Sequence, residues 1–74
     1  MSNVINDVQD EHERALKKFG PFNSAHEGYA VIKEEVDELW DCIKGNADKR
    51  LMRAEAIQVA AMAIRFIEDV CSGE

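Results

Sequence analysis

A chain of 74 residues with fifteen acidic and nine basic side chains carries a formal charge of −6. That excess argues against a nucleic-acid polymer as partner, because phosphate backbones are held by clustered Lys and Arg. So short a chain forms one domain, residues 1–74, and buries little of its surface; such domains lean on disulfides, a metal or a partner subunit.

Cys42 and Cys71 show neither framework nor CxxC spacing and read as reduced packing thiols. The N-terminus, MSNVINDVQDEHER, is polar throughout and does not read as a signal peptide. The longest apolar run, residues 57–67, is broken by Gln58 and Arg65 and is too short to cross a bilayer. A cytoplasmic protein with no membrane partner is expected.

The first helix is predicted over about residues 3–18, where Val4, Ile5, Val8, His12, Ala15 and Leu16 recur at helical spacing, followed by Phe19. Gly20-Pro21-Phe22-Asn23 stops it. The second helix is predicted to start from Ser24 as N-cap, with Glu27 completing a capping box. It should end near Lys44, with Gly45 as the left-handed residue behind it. The third is predicted from Asn46 or Asp48 to about Cys71, roughly 24 residues and about 36 Å at 1.5 Å per residue. No repeat, low-complexity tract or β-branched alternation occurs. The expected fold is all-α, a small helical bundle of three helices.

Between Ala54 and Ile67 only Glu55, Gln58 and Arg65 are neither alanine nor another apolar residue. A helix apolar nearly all round is buried nearly all round. Two short neighbours cannot wrap it, so the bundle is expected to be completed by homo-oligomerisation.

On a wheel at about 100° per residue, Ile32, Val36, Leu39 and Ile43 of the second helix form a core stripe, with Tyr29 and Trp40 beside it. Lys33, Glu34, Asp37, Asp41 and Lys44 fall on a solvated side. Glu35 does not: it lies between Leu39 and Ile32 on one hand and Val31 and Cys42 on the other. Glu38 follows one turn on, at the edge of that strip. On the third helix Glu55 falls between Met62 and Phe66, with Gln58 three residues later.

Two readings of these acids stand side by side. They pair with Lys or Arg at a helix boundary, Arg65 being the main candidate, or they hold a small dication. Burying unpaired carboxylates is costly, and Mg²⁺ suits carboxylate and carbonyl oxygens with retained waters. A di-iron bundle wants ExxH, but Gln9 and Asn23 stand three residues before His12 and His26.

The stretch HEGYAVIKEEVDELWDCIK followed by RAEAIQVAAMAIRFIEDV resembles the MazG-like all-α nucleoside triphosphate pyrophosphohydrolases, over roughly residues 19–70. The resemblance implies a helical bundle completed as a homodimer or homotetramer. It implies cleavage of a (d)NTP substrate to (d)NMP and pyrophosphate with Mg²⁺ (Mn²⁺ as a second possibility), as nucleotide-pool housekeeping. Glu35 and Glu38 match the family's ExxE, Glu34 is the acid before it, and Glu55 matches the first acid of the second motif. Gln58 stands where the family has Asp. Metal ligation is thereby implied for Glu35, Glu38, Glu55 and Gln58, and catalysis for Glu38 and Glu35, with Glu38 as general base.

Lys49, Arg50 and Arg53, in the first turns of the third helix, are candidates for phosphate contacts, against the plainer reading of a solvated helix end. Trp40 is a candidate for stacking on a base, against simple packing. Lys17 and Lys18 are explained by the favourable end of a helix dipole, and His26 as an exposed helix-start residue. The neutral Gln58 keeps open an alternative: a non-catalytic oligomeric interaction or nucleotide- or metal-binding module that has lost catalysis.

Overall fold

A computed structural model of the chain describes residues 3–72 and is all-α, with three helices and no strand among those residues. Helix α1 runs Val4–Phe19, α2 runs Ala25–Lys44 and α3 runs Lys49–Phe66; a π-helical turn, Ile67–Cys71, continues the last. Each helix begins where a side chain takes up an otherwise unpaired backbone donor. Asn3 Oδ1 accepts from the N–H of Ile5 at 2.9 Å, Ser24 Oγ from Glu27 at 3.1 Å, and Asp48 Oδ1 from Leu51 at 3.0 Å. The capping box is shifted: Glu27 Oε1 accepts from the N–H of Asn23 at 2.7 Å, not from that of Ser24.

The end of α2 corrects one expectation. Gly45 is not left-handed, with φ −84°; Asn46 takes that conformation at φ 57°. Gly45 still closes the helix, its N–H donating to the Asp41 carbonyl at 3.0 Å. The third helix starts at the later of its two predicted points and reaches Cys71 only by widening into the π turn. That turn is tied down at both neighbours: Glu68 meets His12 at 2.7 Å, and Asp69 Oδ2 accepts from the N–H of Phe22 at 2.9 Å.

α3 is the central element. It packs against both α1 and α2, which hardly touch one another. The core is thin: Val8, Ala15, Phe22, Ala61 and Met62, backed by half-buried residues such as Val31, Ile57 and Ile64. Gly28 is the one buried residue of α2, because α3 crosses there; an added Cβ would lie 2.6 Å from the Phe66 ring.

One packing expectation needs correction in part. Of the α2 stripe, Ile32 packs against the core and Leu39 is half-buried, but Val36 and Ile43 are each 43% exposed, and Tyr29 and Trp40 more so. Within one chain α3 is not wrapped by its two neighbours: Leu51 is exposed, and only Ala61, Met62 and Arg65 are fully covered. The apolar residues exceed what three helices can cover. Both cysteines are free. No described helix is long and apolar enough to cross a membrane.

Candidate functional site

Because α1 and α2 hardly meet, a cleft of about 340 Å³ opens between them, floored by α3. Arg14 lines it from α1, Glu34 and Glu35 from α2, and Gln58 and Arg65 from α3. Phe22, in the loop joining α1 to α2, lines it as well. Two of the residues singled out for a metal, Glu35 and Gln58, thus reach one cleft from different helices.

Glu38 lies one turn along α2 and is exposed. Glu34, Glu35 and Glu38 place one carboxylate oxygen each within 4.8 Å of one another. The charges also feel Glu55. Burial pushes the Glu35 carboxyl above its ordinary range, and the charges of Glu38, Glu55, Glu34 and Glu11 push it further. Glu38 is raised in the same way, by lost hydration first and then by Glu55, Glu34 and Asp41. Such mutual opposition to ionisation is what closely spaced carboxylates produce. None of Glu34, Glu35, Glu38 and Glu55 is in an ion pair among the described residues. Glu55 Oε2 is buried without any hydrogen-bond partner.

Arg65, the main candidate in the ion-pair reading of these acids, does not pair with them among the described residues. It is 3% exposed and turned toward the α1–α2 loop. Nη2 donates to the Gly20 carbonyl at 2.5 Å, Nη1 contacts Met62 Sδ at 3.3 Å, and the guanidinium lies 4.2 Å from the Phe22 ring centroid.

The structure adds an acid that sequence reasoning missed. Glu11 of α1 is bonded through both oxygens to Arg14, which holds its carboxyl below the ordinary range. The Gln58 side chain adds to that lowering. The signal was present: Glu11 is spaced three and four residues from Val8 and Ala15, both buried.

The softer candidates fare differently. Arg53 forms an ion pair with Asp7 at 2.7 Å, and with Arg50 lines a second hollow of about 480 Å³ that shares Arg14 and Gln58 with the cleft. Lys49 lines neither hollow. Trp40 does not line the cleft: it is 55% exposed, with Lys44 Nζ 5.7 Å from its ring centroid. A stripe position on a helix that lacks an outer neighbour leaves an aromatic in solvent.

No family model, curated protein or solved structure matches this chain closely enough to show kinship.

The donor set fits a hard dication. It consists of carboxylate oxygens with one amide carbonyl available at Gln58, and the buried Glu55 Oε2 lacks any donor to satisfy it. The cleft therefore presents acids on one wall and a buried guanidinium on its floor.

Proposed function

We propose that this chain is a Mg²⁺-dependent nucleoside triphosphate pyrophosphohydrolase, yielding (d)NMP and pyrophosphate and serving to clear a cytoplasmic nucleotide pool. The observation that carries this reading is the cluster of Glu34, Glu35 and Glu38 on α2, one carboxylate oxygen of each within 4.8 Å of the others, beside the charge of Glu55 and with no ion pair to any of the four among the described residues. The resemblance of its paired motifs to the MazG-like enzymes supplies the reaction.

Glu35, Glu38 and Glu55, with Gln58 offering a neutral oxygen, would hold Mg²⁺ (or Mn²⁺), which supplies charge neutralisation for the phosphate oxygens. Glu38 is exposed beside the others and so has access to water. It orients a water and takes its proton as the oxygen attacks the α-phosphorus. The bond to the bridging α–β oxygen breaks, and pyrophosphate leaves. Glu35, half-buried on the cleft wall, would act through the cation it holds and not by contact with the phosphate oxygens.

The working form is read as a homodimer or homotetramer. An 8.4 kDa monomer is expected to expose about 4,600 Å², and this chain exposes 5373 Å². The excess is comparable to one protomer's share of a standard interface, about 800 Å².

A second reading rests on Gln58 and the exposed stripe of α2: an oligomeric helical module that binds metal or nucleotide without turnover. Pyrophosphate release from a panel of NTPs and dNTPs, with Glu38→Gln as control, separates the two. Release that needs Mg²⁺ and disappears in the variant supports the enzyme. No release from any nucleotide, with metal bound, leaves the module.

A further inference from the structure

The floor of the cleft carries a charge that nothing among the described residues balances. Arg65 is 3% exposed, yet its three nitrogens meet a carbonyl, a thioether and, at Nε, no partner at all. No carboxylate pairs with it among the described residues. A buried guanidinium normally sits against an anion, because removing a charge from water is costly without a counter-charge. Asp69, four residues further on, accepts from the N–H of Phe22 and forms no ion pair with Arg65.

The surroundings hold Arg65 rather than neutralise it. The Gly20 carbonyl fixes one edge, and the Phe22 ring stacks on a face. A planar fork fixed in this way is preorganised for an oxyanion. Arg14, on the opposite wall, is already bonded to Glu11 and adds only a partly neutralised charge.

We propose that Arg65 is the anchor for a phosphate oxyanion bound in this cleft. The proposal rests on the nucleotide reading and deepens it: the phosphate end of the ligand sits on Arg65 at the floor, while Glu34 and Glu35 of α2 take the accompanying cation at the wall. A cleft with acids on one side and an unpaired buried cation on the other fits a ligand of both signs. A dication-bound polyphosphate is such a ligand.

The test uses inorganic pyrophosphate with Mg²⁺ as probe on the full chain. In ¹H–¹⁵N spectra of the unaltered protein, the Nε–H resonance of Arg65 is expected to shift and saturate with the probe. Arg65→Met keeps the volume and removes the charge, an exchange that buried ion sites often tolerate. It is expected to melt like the parent, to lose pyrophosphate affinity at least tenfold, and to raise KM for a cleaved nucleotide more than it lowers kcat. An unmoved Nε–H resonance while the probe binds overturns the anchor, and so does parental affinity in Arg65→Met. The nucleotide reading is judged separately. If no nucleotide is cleaved but Arg65 still governs pyrophosphate binding, the anchor stands and the enzyme falls; cleavage with an unchanged KM in Arg65→Met gives the reverse. Should the variant fail to fold, the resonance titration of the parent decides alone.

Discussion

Arg65 Nη2 donates to the carbonyl of Gly20 at 2.5 Å, so the residue that ends α1 is fixed by the last turns of α3. Gly20 holds φ 72° and ψ −175°, a region open essentially to glycine alone. Nothing lies within 4 Å of where its Cβ would be, so a substitution there meets backbone strain and no clash. Gly20→Ala is expected to cost about 1–3 kcal/mol, read as a lower urea midpoint with an unchanged slope. A midpoint equal to the parent's would show that the loop relaxes and that Arg65 does not depend on it.

Gly28 presents the opposite case. Its φ is ordinary, but a Cβ would lie 2.6 Å from Phe66 and 3.1 Å from Phe22. Overfilling such a contact typically costs about 1–3 kcal/mol. Gly28→Ala should therefore destabilise the chain and loosen the α2–α3 crossing, which fluorescence of Trp40 on the same helix can follow. A second change, Phe66→Leu, is expected to recover part of the loss. Additive losses would mean that the two residues do not compete for the same space.

The helix starts, the three-helix architecture and the unusual position of Glu35 were all legible in sequence, because each depends on neighbours within one or two turns. Asn3, Ser24 and Asp48 cap through atoms two or three residues away. What stayed hidden depends on the long-range packing. The stripe of Tyr29, Val36, Trp40 and Ile43 is a real periodicity, but a wheel shows which residues share a face and not whether another helix lies opposite. Arg65 is only a candidate partner for the glutamates in sequence, and its actual partner, Gly20, lies 45 positions away in a loop whose course the sequence does not give. Likewise Gly45 looked like the left-handed residue by type, whereas Asn46, whose short amide tolerates that conformation, adopts it.

Glu35 and Glu38 give a pH dependence of defined sign. Both carboxyls are raised above the ordinary value of 4.5, so the native state holds protons that the unfolded chain has released. Their contribution to stability is present below that value and is lost as pH rises through the raised native values. At neutral pH both are ionised and repel. Glu35→Gln and Glu38→Gln should each melt above the parent in metal-free buffer at pH 7.5, the like-charge relief being about 0.2–0.5 kcal/mol. The gap between variant and parent should close near pH 4. A gap that does not change with pH would show that the acids do not oppose one another.

Mg²⁺ should act on the same charges from the other side. A cation that binds only the folded chain raises its stability by mass action, so the melting point is expected to climb with Mg²⁺ at pH 7.5 and hardly at all at pH 4. Gln58→Asp adds a charge beside Glu55 and Glu11. It should lower the metal-free melting point and tighten Mg²⁺ by roughly tenfold, since affinity in such sites follows ligand charge. Matching responses to Mg²⁺ and to an equal ionic strength of NaCl would reduce the site to a plain acidic surface.

Tyr29, Val36, Trp40 and Ile43 fall within one narrow arc of α2, and all four are exposed at 43% or more. Their spacing of seven, four and three residues is that of a seam along which two helices pack. Lys33 and Asp37, beside that seam, already pair within the helix at 3.0 Å, so no unpaired charge opposes a second apolar face there. A second copy of α2 supplies such a face, and an isologous pairing closes without leaving an open edge. Sedimentation equilibrium is expected to give a mass that is a multiple of 8.4 kDa for the parent. Val36→Glu combined with Ile43→Glu, both at exposed positions, should give the single-chain mass with unchanged helix content. A parent that sediments as one chain would mean that this stripe is left bare, and the excess of exposed surface would then have no structural purpose in assembly.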